Sequence, residues 1–188
     1  MAKDEWWEKY NSYDLCIHHA DKFDEWWDPE RFNWECSWLL AEYCSRYFDK
    51  WWDAERFNWS YSSELTKYCI KRFDEWWDPD KYEWEYTSWI LAQYCHENFN
   101  VWWDFDKFDW EYSGTLAYSC SKYFDTWWHP NKFNWCFVGL LENNCVHKFT
   151  HTQLKQLLLH TNERARELAK KELERRYYDK RRMVEKLQ

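Results

Sequence analysis

The residues with the clearest chemical potential are carboxylates set beside tryptophans. Tryptophan pairs stand at 6/7, 26/27, 51/52, 76/77, 102/103 and 127/128, and Asp24, Asp28, Asp49, Asp53, Asp74, Asp78, Asp104 and Asp125 flank them. An aromatic face bordered by carboxylates attracts cations, so the chemistry on offer is recognition of an arginine, a lysine or a methylated ammonium group. The candidate partner-binding positions are Trp27, Asp28, Trp52, Asp53, Trp77, Asp78, Trp103 and Asp104. A structural role competes at each of them. Asp28-Pro29, Asp78-Pro79 and His129-Pro130 read as an N-cap followed by a first-turn proline, predicting a short helix that covers Phe32 and Trp34.

Catalysis has little to stand on. The chain has no Gly-rich phosphate loop, no H-E-x-x-H and no nucleophile elbow, and its carboxylates recur in every repeat where a catalytic pair is singular. Cys145-x-His147-x3-His151 and Cys16-Ile17-His18-His19 place metal-ligand types close together, but neither supplies a set of four, and C-x-x-C is absent. The chain therefore reads as a non-enzyme with no cofactor and no metal.

Charge divides the chain. Residues 1–150 carry 15 Lys+Arg against 28 Asp+Glu, whereas residues 151–188 carry 11 against 6. The basic excess lies in Lys170, Lys171, Arg175, Arg176, Lys180, Arg181 and Arg182, which are spread over several helical faces and suit phosphate contact, an import signal or docking onto the acidic array. A phosphate-tracking groove should be positive, so the array itself opposes nucleic-acid binding.

The tryptophan pairs are separated by 20, 25, 25, 26 and 25 residues, which makes the chain a tandem array. The unit runs approximately W-W-D-P-x-K/R-F-N-W-E-Y-S-x-x-L-A-x-Y-C-x-x-Y-F-D-x. A second helix start is predicted at Ser37, Ser62, Ser88 and Ser113, each followed three residues later by Leu40, Leu65, Leu91 or Leu116. From there the apolar positions step through Leu40, Cys44, Tyr47/Phe48 and Trp51 at helical spacing, with a break near Ser45. Adjacent tryptophans on a helix point about 100° apart, so one fills its own repeat and the other reaches the next repeat or the surface. Cys44, Cys69, Cys95, Cys120 and Cys145 recur once per repeat and are expected to form a buried column of free thiols.

The first unit is truncated, with His19 at the cysteine position, and the sixth drifts, with Val138 for the serine and Asn144 for the tyrosine. Leu154, Leu157 and Leu158 in residues 150–162 suit a capping helix. Residues 163–188 read as a charged helix with a thin stripe of Leu168, Leu173, Tyr177 and Val184. Aromatic content of 24% with only two Gly and three Pro argues for helices joined by short loops and against glycine-rich hairpin repeats. No stretch of about 18 apolar residues is present and the N-terminus lacks an apolar leader, so an intracellular protein, cytoplasmic or nuclear, is expected.

On this pattern residues 1–150 resemble short two-helix tandem repeats of the broad α-solenoid kind, with a period shorter than tetratricopeptide, ankyrin or HEAT units and none of their signatures. The resemblance implies an all-α superhelical solenoid of about six units in residues 1–150, closed by a capping and basic helix in residues 151–188. The function expected is a binding or scaffold array that engages a basic protein surface or peptide. Nucleic-acid binding through the tail and self-assembly of a structural array are the alternatives.

Overall fold

The computed structural model describes residues 1–186 and is all-helical, with no strand among the described residues. The chain forms two compact units, Met1–Cys95 and His96–Gln188. In the first unit the helices are α1 (Lys3–Lys9), α2 (Ser12–His19), α3 (Phe23–Trp26), α4 (Trp38–Tyr43), α5 (Phe48–Trp51), α6 (Ser62–Tyr68), α7 (Phe73–Trp76) and α8 (Ser88–Tyr94). In the second they are α9 (Phe99–Trp102), α10 (Ser113–Ser119), α11 (Phe124–Trp127), α12 (Val138–Cys145), α13 (His151–Leu157) and α14 (Glu163–Glu185). Within the first unit α4 packs between α2 and α6, and α6 also packs on α8. Within the second, α10 packs on α12, and α14 on both α12 and α13.

One repeat shows why the sequence folds this way. α4 ends at Cys44, where the backbone leaves the helical region (φ -117, ψ 17), and a 3-10 turn over Ser45–Tyr47 leads into α5. This is the break expected near Ser45. It re-aims the chain so that Leu40, Cys44, Phe48 and Trp51 all face inward, each at most 1% exposed. At the break the Cys44 carbonyl accepts Tyr47 N of the 3-10 turn at 2.9 Å, and the first tryptophan of the pair adds a second hydrogen bond to it. Trp51 Nε1 donates to Cys44 O at 2.9 Å, as Trp26 does to His19 O (2.8 Å), Trp76 to Cys69 O (2.9 Å) and Trp127 to Cys120 O (2.9 Å).

The Asp-Pro segments do not begin a helix. Asp28 O accepts from Phe32 N at 3.0 Å, closing one turn, and the chain then extends at Asn33 (φ -78, ψ 100) into a 3-10 helix over Trp34–Cys36. Asn33 caps that 3-10 helix by accepting from Glu35 N, so a second capping residue interrupts the helix that Asp28 would otherwise start. His129 keeps the same main-chain turn, accepting from Phe133 N at 3.0 Å, but its Nδ1 is buried without a hydrogen-bond partner. Its ring caps nothing.

The serines at the second helix start do not cap either. Ser37 is already helical (φ -62, ψ -21) because the 3-10 turn runs straight into α4. Its buried Oγ instead accepts from Asn58 N at 3.0 Å, and Ser12, Ser62 and Ser113 accept likewise from Asn33 N, Glu83 N and Asn134 N. Each serine thus holds the backbone 21 residues further on.

The 26-residue interval has a local cause. Between Trp84 and Ser88 the chain carries one residue more than between Trp59 and Ser62, and Tyr86 absorbs it in the left-handed region at φ 61. That conformation is costly for a tyrosine. Here the 3-10 helix of the other repeats is replaced by turns.

The tail helix buries a different face from the one its apolar spacing suggests. Ala165, Leu168, Ala169 and Glu172 are buried, whereas Leu173 is half-buried and Tyr177 and Val184 are exposed. Positions 173, 177 and 184 lie about 100° around the helix from the 165/168/172 line. Two alanines allow that line close approach. Leu154 and Leu157 are buried on α13 as the capping reading expects, while Leu158 is exposed.

Candidate functional site

The tryptophan–aspartate positions are largely used by the fold. Asp28 Oδ1 accepts from Glu30 N (3.1 Å), Asp53 from Glu55 N (2.9 Å), Asp78 from Asp80 N (3.0 Å) and Asp104 from Asp106 N (2.9 Å). Trp27, Trp52, Trp77 and Trp103 are half-buried. Trp27 stacks on Phe23 at 5.0 Å, meets Trp34 edge-on at 6.0 Å, and donates Nε1 to Lys50 O of the following repeat at 3.1 Å. The same stacking recurs for Trp52 on Phe48, Trp77 on Phe73 and Trp103 on Phe99.

Recognition of a cation by a ring and a carboxylate does occur, between neighbouring repeats. Arg56 lies 5.9 Å from the Trp34 ring while pairing with Glu30 at 2.7 Å and donating to Pro29 O at 3.0 Å. Lys81 repeats this over Trp59 with Glu55 at 2.6 Å. Lys50 lies 5.6 Å from Tyr47 and pairs with Asp24 at 2.5 Å. Arg72 pairs with Asp49, and in the second unit Lys122 pairs with Glu97 at 2.7 Å. At the end of the array His160 takes the place of the next repeat's cation, 5.4 Å from Trp135 and 3.1 Å from Asn131 Oδ1.

The basic tail is partly spent in the same way. Arg175 and Arg176 both hold the buried Glu172, at 2.8 and 2.6 Å, and Arg176 also donates to Phe149 O (2.8 Å) and Val146 O (3.1 Å). Lys171 pairs with Glu142 and Arg181 with Glu185. Lys170, Lys180 and Arg182 are exposed.

The thiols are free and inward. Cys44, Cys69, Cys95, Cys120 and Cys145 are buried, as is Cys16 one turn before His19, while Cys36 is half-buried and Cys136 exposed. Cys145 Sγ donates to Ala117 O at 3.5 Å and Cys69 Sγ to Ala41 O at 3.9 Å, both in the preceding repeat. Burial pushes Cys69, Cys95, Cys120 and Cys145 up to about 12. Thiols so protonated are poor nucleophiles and poor metal ligands. No group of three or more His, Cys, Asp or Glu that could hold a metal is present among the described residues.

A set of side chains outside the expected positions stays open. Tyr43, Tyr68 and Tyr94 occupy the same place in three successive repeats, and are 39%, 43% and 40% exposed. Tyr13 on α2 is exposed as well. The position was legible, since each tyrosine directly precedes a buried cysteine on a helix and must point about 100° away from it. Beside them lies Glu42, half-buried on α4, whose carboxylate raises the Tyr43 hydroxyl; at Tyr68 burial acts first and Glu42 adds to it.

Among the described residues no helix is long and apolar enough to cross a membrane. No protein-family model matches this chain, and neither does any curated protein or any solved structure.

Proposed function

We propose that the chain is a non-catalytic solenoid of about six short repeats that binds a basic protein segment along an acidic, aromatic face. The observation that carries this reading is the recurrence of an exposed tyrosine at one register, Tyr43, Tyr68 and Tyr94, on helices that pack side by side. A large aromatic ring left about two-fifths exposed at one register is only partly used by packing, and rigid aromatic anchors with polar tips suit a binding surface. Charge sets the partner's sign, because residues 1–150 hold 28 acidic against 15 basic side chains. The geometry favours the tyrosines over Trp27/Asp28, Trp52/Asp53, Trp77/Asp78 and Trp103/Asp104, whose carboxylates already accept backbone N–H groups. In this reading the half-exposed tryptophans supply secondary contacts.

The test compares the intact chain with a Tyr43→Ala/Tyr68→Ala/Tyr94→Ala variant by fluorescence anisotropy. The probes are a lysine- and arginine-rich peptide and an acidic peptide of equal length. Selective, salt-weakened binding of the basic peptide, reduced about tenfold or more in a variant of unchanged Tm, is the expected result. Equal binding of both peptides, or a variant that binds as well as the parent, would sink the proposal.

A further inference from the structure

We infer that the second unit holds a site for one neutral sugar ring, in the cavity between the last tryptophan-pair turn of the array and α13. The cavity measures about 420 Å³, within the roughly 300–1,000 Å³ range of small-molecule sites. Trp128, Pro130 and Leu157 give it apolar walls, and Asn131, Gln153 and Gln156 give it amides. The lining is uncharged in a chain that is 32% charged: no Asp, Glu, Lys or Arg borders the cavity among the described residues. The array has changed where it meets this space. The four preceding units carry two acids around the turn, Asp28 and Glu30, Asp53 and Glu55, Asp78 and Asp80, Asp104 and Asp106, whereas the same places here hold His129 and Asn131.

The walls are fixed before any ligand arrives. Trp128 is half-buried, stacked on Phe124 at 5.3 Å and in edge contact with Phe149 at 4.9 Å. His160 Nδ1 accepts from Asn162 N at 3.1 Å, so the ring proton sits on Nε2 and is donated to Asn131 Oδ1 at 3.1 Å. That bond ties the turn at residues 129–133 to the segment after α13, and it leaves the Asn131 amide N–H groups to donate. Gln153 Oε1 is likewise taken, by Thr150 N at 2.8 Å, so this amide too is presented as a donor. Gln156, three residues on and therefore on the same face of α13, is exposed and brings a donor and an acceptor together. An ion would find no countercharge in this lining, and a wholly apolar ligand would strip water from the amides without replacing its hydrogen bonds. A sugar ring meets both demands. Its weakly positive C–H face packs on the electron-rich face of an indole, and each hydroxyl both donates and accepts, as the amides require.

The site is tested by 1H–15N spectra of the full chain during titration with the methyl glycosides of glucose, galactose, mannose and N-acetylglucosamine. Cyclohexanol, glucuronate, glucosamine and a capped triproline peptide are titrated in parallel. Saturable shifts of the Trp128 indole N–H and of the Gln153 side-chain amide are expected with at least one glycoside, at least fivefold weaker in Gln156→Ala. Gln156 is exposed, so this variant keeps the fold; Trp128→Phe, whose smaller ring offers less surface, should weaken the same glycoside several-fold at unchanged Tm. The inference is overturned if no glycoside saturates these resonances or if Gln156→Ala binds as well as the parent. It is equally overturned if cyclohexanol, either charged sugar or the triproline peptide binds as tightly as the best glycoside. Its failure leaves the basic-peptide reading standing, because Tyr43, Tyr68 and Tyr94 belong to the first unit.

Discussion

Gly114 and Gly139 fall at the same place in consecutive repeats, yet they meet different surroundings. A Cβ on Gly114 would come within 2.5 Å of Phe137 Cγ and 2.9 Å of Phe137 Cβ, the stiff root of that side chain, whereas one on Gly139 would meet nothing within 4 Å. Alanine is favoured over glycine in a helix by about 1 kcal/mol, and overpacking costs about 1–3 kcal/mol. Gly139→Ala should thus raise the urea midpoint and Gly114→Ala should lower it. The thiols give a second residue-scale prediction. In the native chain a thiol reagent at pH 8 should label Cys136 rapidly and Cys36 more slowly, with the other six protected until unfolding. Cys69, Cys95, Cys120 and Cys145 stand near 12 in the folded chain against an ordinary value of 9.0. The unfolded chain therefore releases protons first. Their stabilising contribution is full below pH 9 and is lost between about 9 and 12, so Tm should fall across that window.

At the scale of elements, the junction between α14 and the array rests on one charged cluster. Burial opposes ionisation of Glu172, but hydrogen bonds from Arg175 and Arg176 outweigh it and hold the carboxyl below its usual range. Arg176 in turn satisfies the terminal carbonyls of Val146 and Phe149. Glu172→Gln should cost about 1–3 kcal/mol, less than a wholly buried pair because the arginines are part-exposed. The contribution of Glu172 is present above about pH 4.5 and is lost as pH falls through the depressed folded value. Differential hydrogen exchange should find the loss concentrated in α14. This junction was only half legible. Basic residues and a helix were plain in residues 163–188, but the stripe was read from the large apolar side chains, while the buried line runs through Ala165 and Ala169, whose small size brings the backbones together.

Across the chain, periodicity made the helices readable and concealed the joints between them. The 25-residue spacing led directly to the helices, the break near Ser45 and the free cysteines, because burial at helical spacing follows from local pattern alone, whereas which tryptophan of each pair turns inward was left open. The serine bonds across 21 residues, the single turn at Asp28 and the cation ladder were not readable. They depend on which repeat faces which, and polar groups at such places satisfy either a local cap or a neighbour equally well in sequence. The open tyrosines belong to the same lesson, since their value as a surface emerges only once the ladder is seen to use most neighbouring charges.

Near-identical repeats carry a hazard in that one can dock in its neighbour's place. One pair of residues sets a repeat apart. Thr66 stands where other repeats have Ala41, Ala92 or Ala117, and Tyr82 where they have Phe57, Phe108 or Phe133. The two hydroxyls meet in the core at 3.2 Å, and Thr66 also donates to Ser62 O. A chain that slipped by one repeat would set Tyr82 against an alanine and strand its phenol in apolar surroundings, at a cost of about 1–3 kcal/mol. Thr66 and Tyr82 act as a lock and key for counting, giving a repetitive chain a place where misalignment is penalised.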